Sequence, residues 1–203
     1  MVFKRRPTYV GDAPVATAPG TDTLRIVVYN MSAMWNDTDR PLAVLISFRC
    51  YGTWLHGDER GSTDRHNNKY GTPKYPAIGH WNEISTSRLK HEPVKLNAKR
   101  RKAVEKAIRE TCDKRKWILL AISVRTNHIH CVVVIGDKDP ELILIALKAN
   151  ATRQMREDGC WPQKHSPWSE KGSKRRLWNE WSVINAVDYV LNGQGDDLPD
   201  FDR

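Results

Sequence analysis

Apolar positions recur along this chain with two different periods, and segments with one period alternate with segments with the other. Short apolar runs rich in β-branched residues over 42–51, 117–124 and 128–136 predict three strands. Apolar positions three or four residues apart predict helices over 97–116 and 139–159. Only a few residues separate the second and third strands, so these two strands are expected to pair as an antiparallel hairpin.

The segment that follows is predicted to supply a fourth strand and a last helix. The run SEKGSKRRLWN is interpreted as a hairpin centred on Gly172, which gives the fourth strand. The run SVINAVDYVLN predicts a short helix that ends at Gly193 and Gly195, both of which can take left-handed backbone angles. The order β-α-β-β-α-β with a terminal helix predicts an α+β fold with a ferredoxin-like antiparallel sheet.

Two stretches lack this regular apolar pattern. Residues 1–33 are rich in Pro, Ala, Gly and Thr and are predicted to be a flexible N-terminal extension, so that the folded domain spans 34–203. Residues 58–93 form a polar stretch too long for an ordinary connection, with Arg, Lys, Tyr and Trp interleaved. Two interpretations of this stretch stay open: a surface that contacts phosphates and bases, or a solvated excursion.

The balance of charge adds a class of partner to this picture. The 203 residues include 33 Lys and Arg against 24 Asp and Glu, which gives a net charge of +9 and a pI near 9.5. A protein this basic often binds a polyanion, with nucleic acid the leading candidate and simple solubilising charge the alternative. The sequence shows no apolar stretch long enough for a membrane span and no signal peptide, so the cytoplasm is the expected location.

The cysteines indicate neither of the two structural roles that cysteine clusters often have. The chain contains four of them without a CxxC pair, so a zinc knuckle and a disulfide framework are both disfavoured. This usage suits a reducing cytosol. The four residues are Cys50, Cys112, Cys131 and Cys160.

Two histidines in the third predicted strand are candidates for metal binding. Side chains alternate across a strand, so His128 and His130 point to one face while Ile129 points to the other. Their Cα atoms are expected to lie roughly 7 Å apart, at about 3.4 Å per residue. Two imidazoles at this separation can converge on one metal ion if another element supplies a further ligand. The alternative is a pair of partly exposed polar residues on a sheet face.

Two short motifs and their order resemble those of one protein family. NHIHCVVV on a predicted strand and YVLNGQG on a predicted C-terminal helix resemble the HUH single-tyrosine transposases of bacterial insertion sequences. FRCYGTWLHGDERGSTDR, ALKANATRQMREDG and SKRRLWNE also resemble the REP-associated tyrosine transposase branch of this family. The resemblance covers residues 34–202, and each motif by itself is much less specific than the ordered set.

The resemblance implies a substrate, a cofactor and a nucleophile. The substrate would be single-stranded DNA with hairpin-associated sites, cleaved and rejoined through a 5′-phosphotyrosine bond to Tyr189. Mg²⁺ or Mn²⁺ would be held by His128, His130 and a side-chain amide, and zinc is also compatible with such ligands. Relatives act with the tyrosine of the same subunit or of a partner, so a homodimer is compatible with the resemblance. The location would be the bacterial cytoplasm.

The amide ligand follows the tyrosine, but two residues compete for the role. Relatives often carry Gln or Asn four positions after the tyrosine, and this chain has Gly193 there. Asn192 lies about 60° around an ideal helix from Tyr189, and Gln194 about 140°. If the glycines end the helix, Gln194 leaves the helical phase and its longer side chain can turn back. Gln194 is therefore the expected ligand, with Asn192 as the alternative.

Basic and aromatic residues near the C-terminal elements are candidates for contacts with DNA. Arg153, Lys174, Arg175 and Arg176 are expected to bind backbone phosphates. Three tryptophans are candidates for stacking on bases or on a hairpin tip, with core packing as the alternative for each. They are Trp168, Trp178 and Trp181.

Other functions remain compatible with parts of this pattern. The same chemistry would serve a replication initiator, a relaxase-type nickase, or a domesticated protein that processes repeated palindromes of its host. A ferredoxin-like nucleic-acid-binding module without catalysis is a further alternative, although such a module is expected to expose aromatic residues on its sheet. It would also have no need of the tyrosine.

Overall fold

The structure is a computed structural model that describes residues 40–62 and 73–201. The predicted flexible extension over residues 1–33 and the predicted start of the domain at residue 34 lie outside these residues. Part of the polar stretch over 58–93 lies outside them as well. These boundaries therefore stay predictions.

Four strands of the described ranges form one antiparallel sheet. They are β1 (Ala43–Cys50), β2 (Ile118–Val124), β3 (His128–Val134) and β4 (Trp168–Leu177). Their order in the sheet is β2-β3-β1-β4, and each neighbouring pair is antiparallel. The predicted α+β fold, its ferredoxin-like strand order and the β2–β3 hairpin are confirmed.

Four helices accompany the sheet in the same part of the chain. They are α1 (Gly79–Ser87), α2 (Ala98–Arg115), α3 (Pro140–Glu157) and α4 (Glu180–Asn192). The last three are close to the predicted ranges because an Asn or Asp side chain caps the first turn of each. The sequence did not predict α1, because none of its side chains is buried and its N-terminus has no side-chain cap. No described helix has the length and apolarity needed to cross a membrane.

The two faces of the sheet are covered by different helices. Phe48 and Ile129 lie in a core cluster on the face covered by α2 and α3, together with Leu144 of α3. Val132 and Leu177 belong to a second cluster on the other face, which is covered by α4. Because side chains alternate, the face of Val132 is also the face of the two histidines of β3. The last helix therefore lies on the same side of the sheet as the candidate metal ligands.

The predicted hairpin at Gly172 is wrong, because β4 runs through this residue without a turn. Gly172 pairs with Phe48 of β1 in the middle of the strand. A Cβ atom at Gly172 would lie 2.8 Å from the carbonyl oxygen of Ser47 and 3.0 Å from Cδ2 of Leu144. The glycine thus allows α3 to approach the sheet closely, which is the other common role of glycine within a strand.

We expect Gly172→Ala to destabilise the domain by about 1–3 kcal/mol, because the added methyl group overpacks the contact with Leu144. Urea unfolding followed by circular dichroism measures the change. Ser173→Ala is the matched control, since Ser173 is exposed and its side chain points to the other face. Replacement of an unstrained glycine by alanine usually stabilises a protein. A Gly172→Ala protein that is as stable as its parent, or more stable, would therefore contradict this packing.

Candidate active site

His128 and His130 occupy one face of β3, as the alternation of the strand predicts. Both side chains are half-buried, whereas Ile129 between them is fully buried on the opposite face. The centroids of the two imidazole rings are 4.9 Å apart and their planes meet at 68°. The two imidazole rings therefore lie side by side on one face of the sheet.

Each histidine has a polar neighbour at its Nδ1 atom. Nδ1 of His128 lies 2.7 Å from Oδ1 of Asn127, and Nδ1 of His130 lies 2.6 Å from Oγ of Ser47. An amide oxygen can only accept, so Nδ1 of His128 carries the proton and Nε2 keeps its lone pair. The hydroxyl of Ser47 can accept from His130 in the same way. Both rings can then offer Nε2 as a ligand atom.

The surroundings of the two rings favour their neutral form. Burial lowers the pKa of His128, and the positive charges of Arg125 and Arg60 lower it further, whereas the hydrogen bond that a protonated ring can donate to Oε1 of Gln194 raises it. Burial and the neighbouring His128 lower the pKa of His130 to about 4. Both imidazoles are therefore neutral at pH 7, which is the form that binds metal ions.

The end of α4 brings Tyr189 to this pair. The tyrosine is 45% exposed, and the centroid of its ring lies 5.4 Å from that of His130. Gly193, one turn later, is in close contact with it: an added Cβ would lie 2.8 Å from the carbonyl oxygen of Tyr189 and 3.0 Å from its Cδ2 atom. Gly193 does not use a left-handed backbone, since its φ is −91°, whereas Gly195 does at +77°. The expected left-handed angle is thus found at the second glycine and not at the first.

Of the two candidate amides, Gln194 contacts one of the histidines, His128. Its Nε2 atom donates to the carbonyl oxygen of Tyr189 at 3.0 Å, and this bond turns its Oε1 atom toward Nε2 of His128, 3.2 Å away. Asn192 is exposed and donates instead to Oδ1 of Asp188 at 2.8 Å, along the surface of α4. The structure therefore places Gln194 beside His128 and turns Asn192 away.

The donor atoms at this position fit a cation. Nε2 of His128 and Oε1 of Gln194 both carry lone pairs, so two acceptors face each other at 3.2 Å. Such a contact is unfavourable unless a positive charge lies near both atoms. The amide oxygen is a ligand that suits Mg²⁺ and Mn²⁺, whereas imidazoles suit zinc, so the ligand set is compatible with any of these three ions.

The described residues include no group of three or more His, Cys, Asp and Glu side chains that could form a different metal site. The four cysteines are free, and three of them are buried: Cys50, Cys112 and Cys131. Burial raises the pKa of both Cys50 and Cys112 to about 12, so these thiols are protonated at pH 7 and are poor metal ligands. A structural zinc site built on cysteines finds no support here.

The basic residues expected to contact phosphates do not form one surface. Arg175 lies on the same face of the sheet as the histidines, because its neighbour Ser173 pairs with Ser47 of β1. Lys174 and Arg176 alternate to the face of α3, where Lys174 forms an ion pair with a glutamate of that helix. Arg153 is on α3 itself and pairs with a glutamate one turn later. The structure therefore brings only Arg175 of these four to the side of the histidines.

The three tryptophans also separate into two groups. Trp168 is buried, with its ring centroid 5.0 Å from that of Phe48 and its Nε1 atom donating to the carbonyl oxygen of Lys148 at 3.0 Å. The suggested stacking role of Trp168 is wrong, because this ring forms part of the core. Trp178 and Trp181 are 52% and 71% exposed, as a base-stacking role requires.

Sequence reasoning missed Arg49 beside the histidines, as well as the contacts of Ser47 and Asn127 with the two rings. Arg49 is the direct partner of His128 in the β1–β3 register and lies on the same face. Its Nη1 atom donates to the carbonyl oxygen of Trp54 at 2.9 Å, so the guanidinium is held in place by the loop after β1. The sequence signal for Arg49 was that two polar residues on one face of the strand, Ser47 and Arg49, interrupt the apolar run of β1.

One protein family model matches part of this chain. Residues 87–181 match the family model of IS200-like transposases. The matched segment includes both histidines and the whole of β2, β3 and β4, whereas β1, Tyr189 and Gln194 lie outside it. A comparison with curated proteins finds no match. Slightly less than half of the chain is therefore similar to IS200-like transposases.

Proposed function

We propose that this protein is a metal-dependent transposase that cleaves and rejoins single-stranded DNA at hairpin-associated sites, through a covalent 5′-phosphotyrosine bond to Tyr189. The observation that carries the proposal is the convergence of His128, His130, Gln194 and Tyr189 at the end of one sheet face. The family match supports the general activity. Such a protein would act on DNA in the bacterial cytoplasm.

The metal site of this proposal consists of Nε2 of His128, Nε2 of His130 and Oε1 of Gln194. A bound Mg²⁺ or Mn²⁺ would polarise the scissile phosphate and stabilise its developing charge. Asn127 and Ser47 orient the two rings through their Nδ1 atoms. The carbonyl oxygen of Tyr189 orients the amide of Gln194, so the nucleophilic residue also positions a ligand.

The reaction of this proposal exchanges one phosphate ester bond for another. The hydroxyl oxygen of Tyr189 forms a bond to phosphorus and loses its proton, while the bond to the 3′ oxygen breaks and that oxygen gains a proton. The product is a 5′-phosphotyrosine with a free 3′-hydroxyl on the other strand end. Attack by a 3′-hydroxyl on this intermediate restores DNA and releases the tyrosine. The exposure of the Tyr189 ring leaves it accessible to an incoming strand.

The same geometry supports a site in which the tyrosine acts with the histidines of its own subunit. Tyr189 lies beside His130 of its own chain, so a single chain brings the nucleophile to the candidate ligands. A homodimer is compatible with this proposal but is not required to complete the site.

The proposal is tested by trapping the covalent adduct. The protein is incubated with Mn²⁺ and a pool of single-stranded oligonucleotides that contain hairpins, and the products are separated on a denaturing gel. A label at the 3′ end should remain with the protein, and a label at the 5′ end should leave on a fragment with a free 3′-hydroxyl. Absence of any adduct, or retention of the 5′ label, would contradict the proposal.

The main alternative is a nickase of the replication-initiator or relaxase type. It would use the same site and give the same first adduct, so it differs only in the second step. A transposase joins the bound strand to a new 3′ end, and a labelled acceptor strand in the same assay reports this product. The family match favours transposition. Membership of the REP-associated branch is part of the proposal and rests on the sequence resemblance.

Gln194→Ala is expected to weaken Mn²⁺ binding at least about tenfold, because the variant loses an oxygen ligand. Isothermal titration calorimetry with MnCl₂ measures the affinity. Asn192→Ala is the matched control, since it removes a neighbouring amide that contacts Asp188 instead of His128. Weak binding by Asn192→Ala together with normal binding by Gln194→Ala would show that Asn192 is the ligand.

A further inference from the structure

The loop after β1 is built around the indole of Trp54. This residue has a left-handed backbone, with φ of 55°, and its Nε1 atom donates to the carbonyl oxygen of Gly61 at 2.6 Å. Arg49 of β1 donates to the carbonyl oxygen of Trp54, so strand and loop are joined at the same residue. The indole is therefore held in place at both its backbone and its ring.

Three cationic side chains among the described residues gather over this ring. The charged ends of Arg49, Arg60 and Lys74 lie 5.3, 5.0 and 4.7 Å from the ring centroid. A ring has two faces, so at least two of these cations share one. Attraction between each cation and the ring offsets only part of the repulsion among like charges. We call Arg49, Arg60, Lys74 and Trp54 the cation cluster.

Carboxylates compensate only part of this charge. Asp58 accepts from Arg60 at 2.7 and 2.8 Å, and Glu59 also acts on Arg60 from nearby. Burial and the charge of Arg60 lower the pKa of Arg49, and the opposing effect of Asp58 is smaller. The cation cluster therefore remains positive on balance, because three cationic side chains face two carboxylates.

The cation cluster adjoins the candidate active site. Arg49 is the β1 partner of His128 and shares its face of the sheet. The charge of Arg60 also acts on His128. A DNA strand whose scissile phosphate lies at the histidines would therefore pass next to these cations.

We propose that Arg49, Arg60 and Lys74 bind a backbone phosphate of single-stranded DNA that neighbours the scissile phosphate; this inference rests on the proposed function. The ligand is a phosphate and not a base, because the cations already cover the indole on which a base would stack. Arg60 and Lys74 are exposed enough for a strand to reach them. Such a contact positions the strand without reading its sequence.

Equilibrium binding at several salt concentrations tests this inference. The Tyr189→Phe protein, which cannot cleave, is titrated into a fluorescent single-stranded oligonucleotide, alone and with Lys74→Gln or Arg60→Gln added. Each added change should weaken binding roughly tenfold at 50 mM salt and reduce the slope of log affinity against log salt by about 0.7. Lys106→Gln is the matched control, because it removes an equivalent exposed charge on α2, on the other side of the sheet.

Neutral methylphosphonate linkages locate the phosphate. A set of oligonucleotides is prepared, each with one such linkage at a different position. A linkage next to the cleavage position should weaken binding by the Tyr189→Phe protein. The same linkage should not weaken binding by the protein that carries both Tyr189→Phe and Lys74→Gln. If the loss of affinity from the neutral linkage and the loss from Lys74→Gln add at every linkage position, the inference is overturned. It is also overturned if the variants of the cation cluster bind the oligonucleotide as the Lys106→Gln control does.

The adduct assay with the unmodified protein separates this failure from that of the proposed function. An adduct without any effect of the cluster variants overturns the phosphate site alone. Binding that depends on the cation cluster in a protein that forms no adduct overturns the proposed function alone. Absence of single-strand binding overturns the phosphate site directly.

Discussion

Tyr189→Phe is expected to abolish the covalent adduct and to reduce strand cleavage at least about a thousandfold, because it removes the oxygen that we propose as the nucleophile. Binding of single-stranded DNA should change little, since the ring beside His130 is retained. Quantitative gel assays of cleavage and fluorescence anisotropy of binding measure the two effects on the same protein preparation.

Tyr51→Phe provides the matched control for this substitution. The hydroxyl of Tyr51 accepts from the backbone N–H of Lys90, so this change also removes one phenolic oxygen. Cleavage by Tyr51→Phe should remain close to that of the parent. An adduct that persists in Tyr189→Phe, or an adduct peptide that maps to another residue, would refute the assignment of the nucleophile.

His128→Ala and His130→Ala are each expected to remove Mn²⁺-dependent cleavage, with a loss of at least about a hundredfold, since one of three ligands disappears. Both side chains are only half-buried, so either variant should keep the fold. Cleavage is measured over a range of Mn²⁺ concentrations, because high concentrations can partly restore a weakened site.

The melting temperature distinguishes a catalytic metal from a structural one. Chelation of the parent protein should abolish cleavage and change the melting temperature by only a few degrees, because the fold is built on two apolar clusters. Unfolding of the protein by a chelator would show that the metal is structural and that the catalytic assignment is wrong.

Most of the fold could be predicted because the apolar period is a local signal, and the structure adds a local reason why three helices begin where they do. The caps Asn97, Asp139 and Asn179 each precede a helix and accept from its first turn. Gly172 was misinterpreted because a glycine has the same appearance in a turn and at a close contact, and only the position of Leu144 separates the two. The helix α1 gave no signal, since it buries none of its side chains.

The candidate site could be predicted only in part, for a related reason. The shared face of His128 and His130 follows from alternation within one strand. The position of Gln194 depends on one bond to the Tyr189 carbonyl, which no helical phase describes. The place of Arg49 beside His128 depends on the pairing of β1 with β3, and sequence periodicity does not give the register between strands.

The distribution of the basic residues over two faces of the sheet could not be predicted either, because it also depends on how the strands pair. If the β4 segment were a hairpin centred on Gly172, Lys174, Arg175 and Arg176 would follow the turn together and could contact the same DNA strand. As a continuous strand paired with β1, it sends Arg175 to one face and its two neighbours to the other.

The helix that carries Tyr189 also shields one face of the sheet. Val183, Val187 and Val190 of α4 are buried in the cluster that contains Val132 and Leu177 of the strands. A nascent chain must therefore emerge from the ribosome beyond α4 before this apolar face is covered. Prematurely terminated chains would expose it and become substrates for chaperones and proteases. A chain that ends before α4 would therefore lose Tyr189 and the cover of this apolar face together.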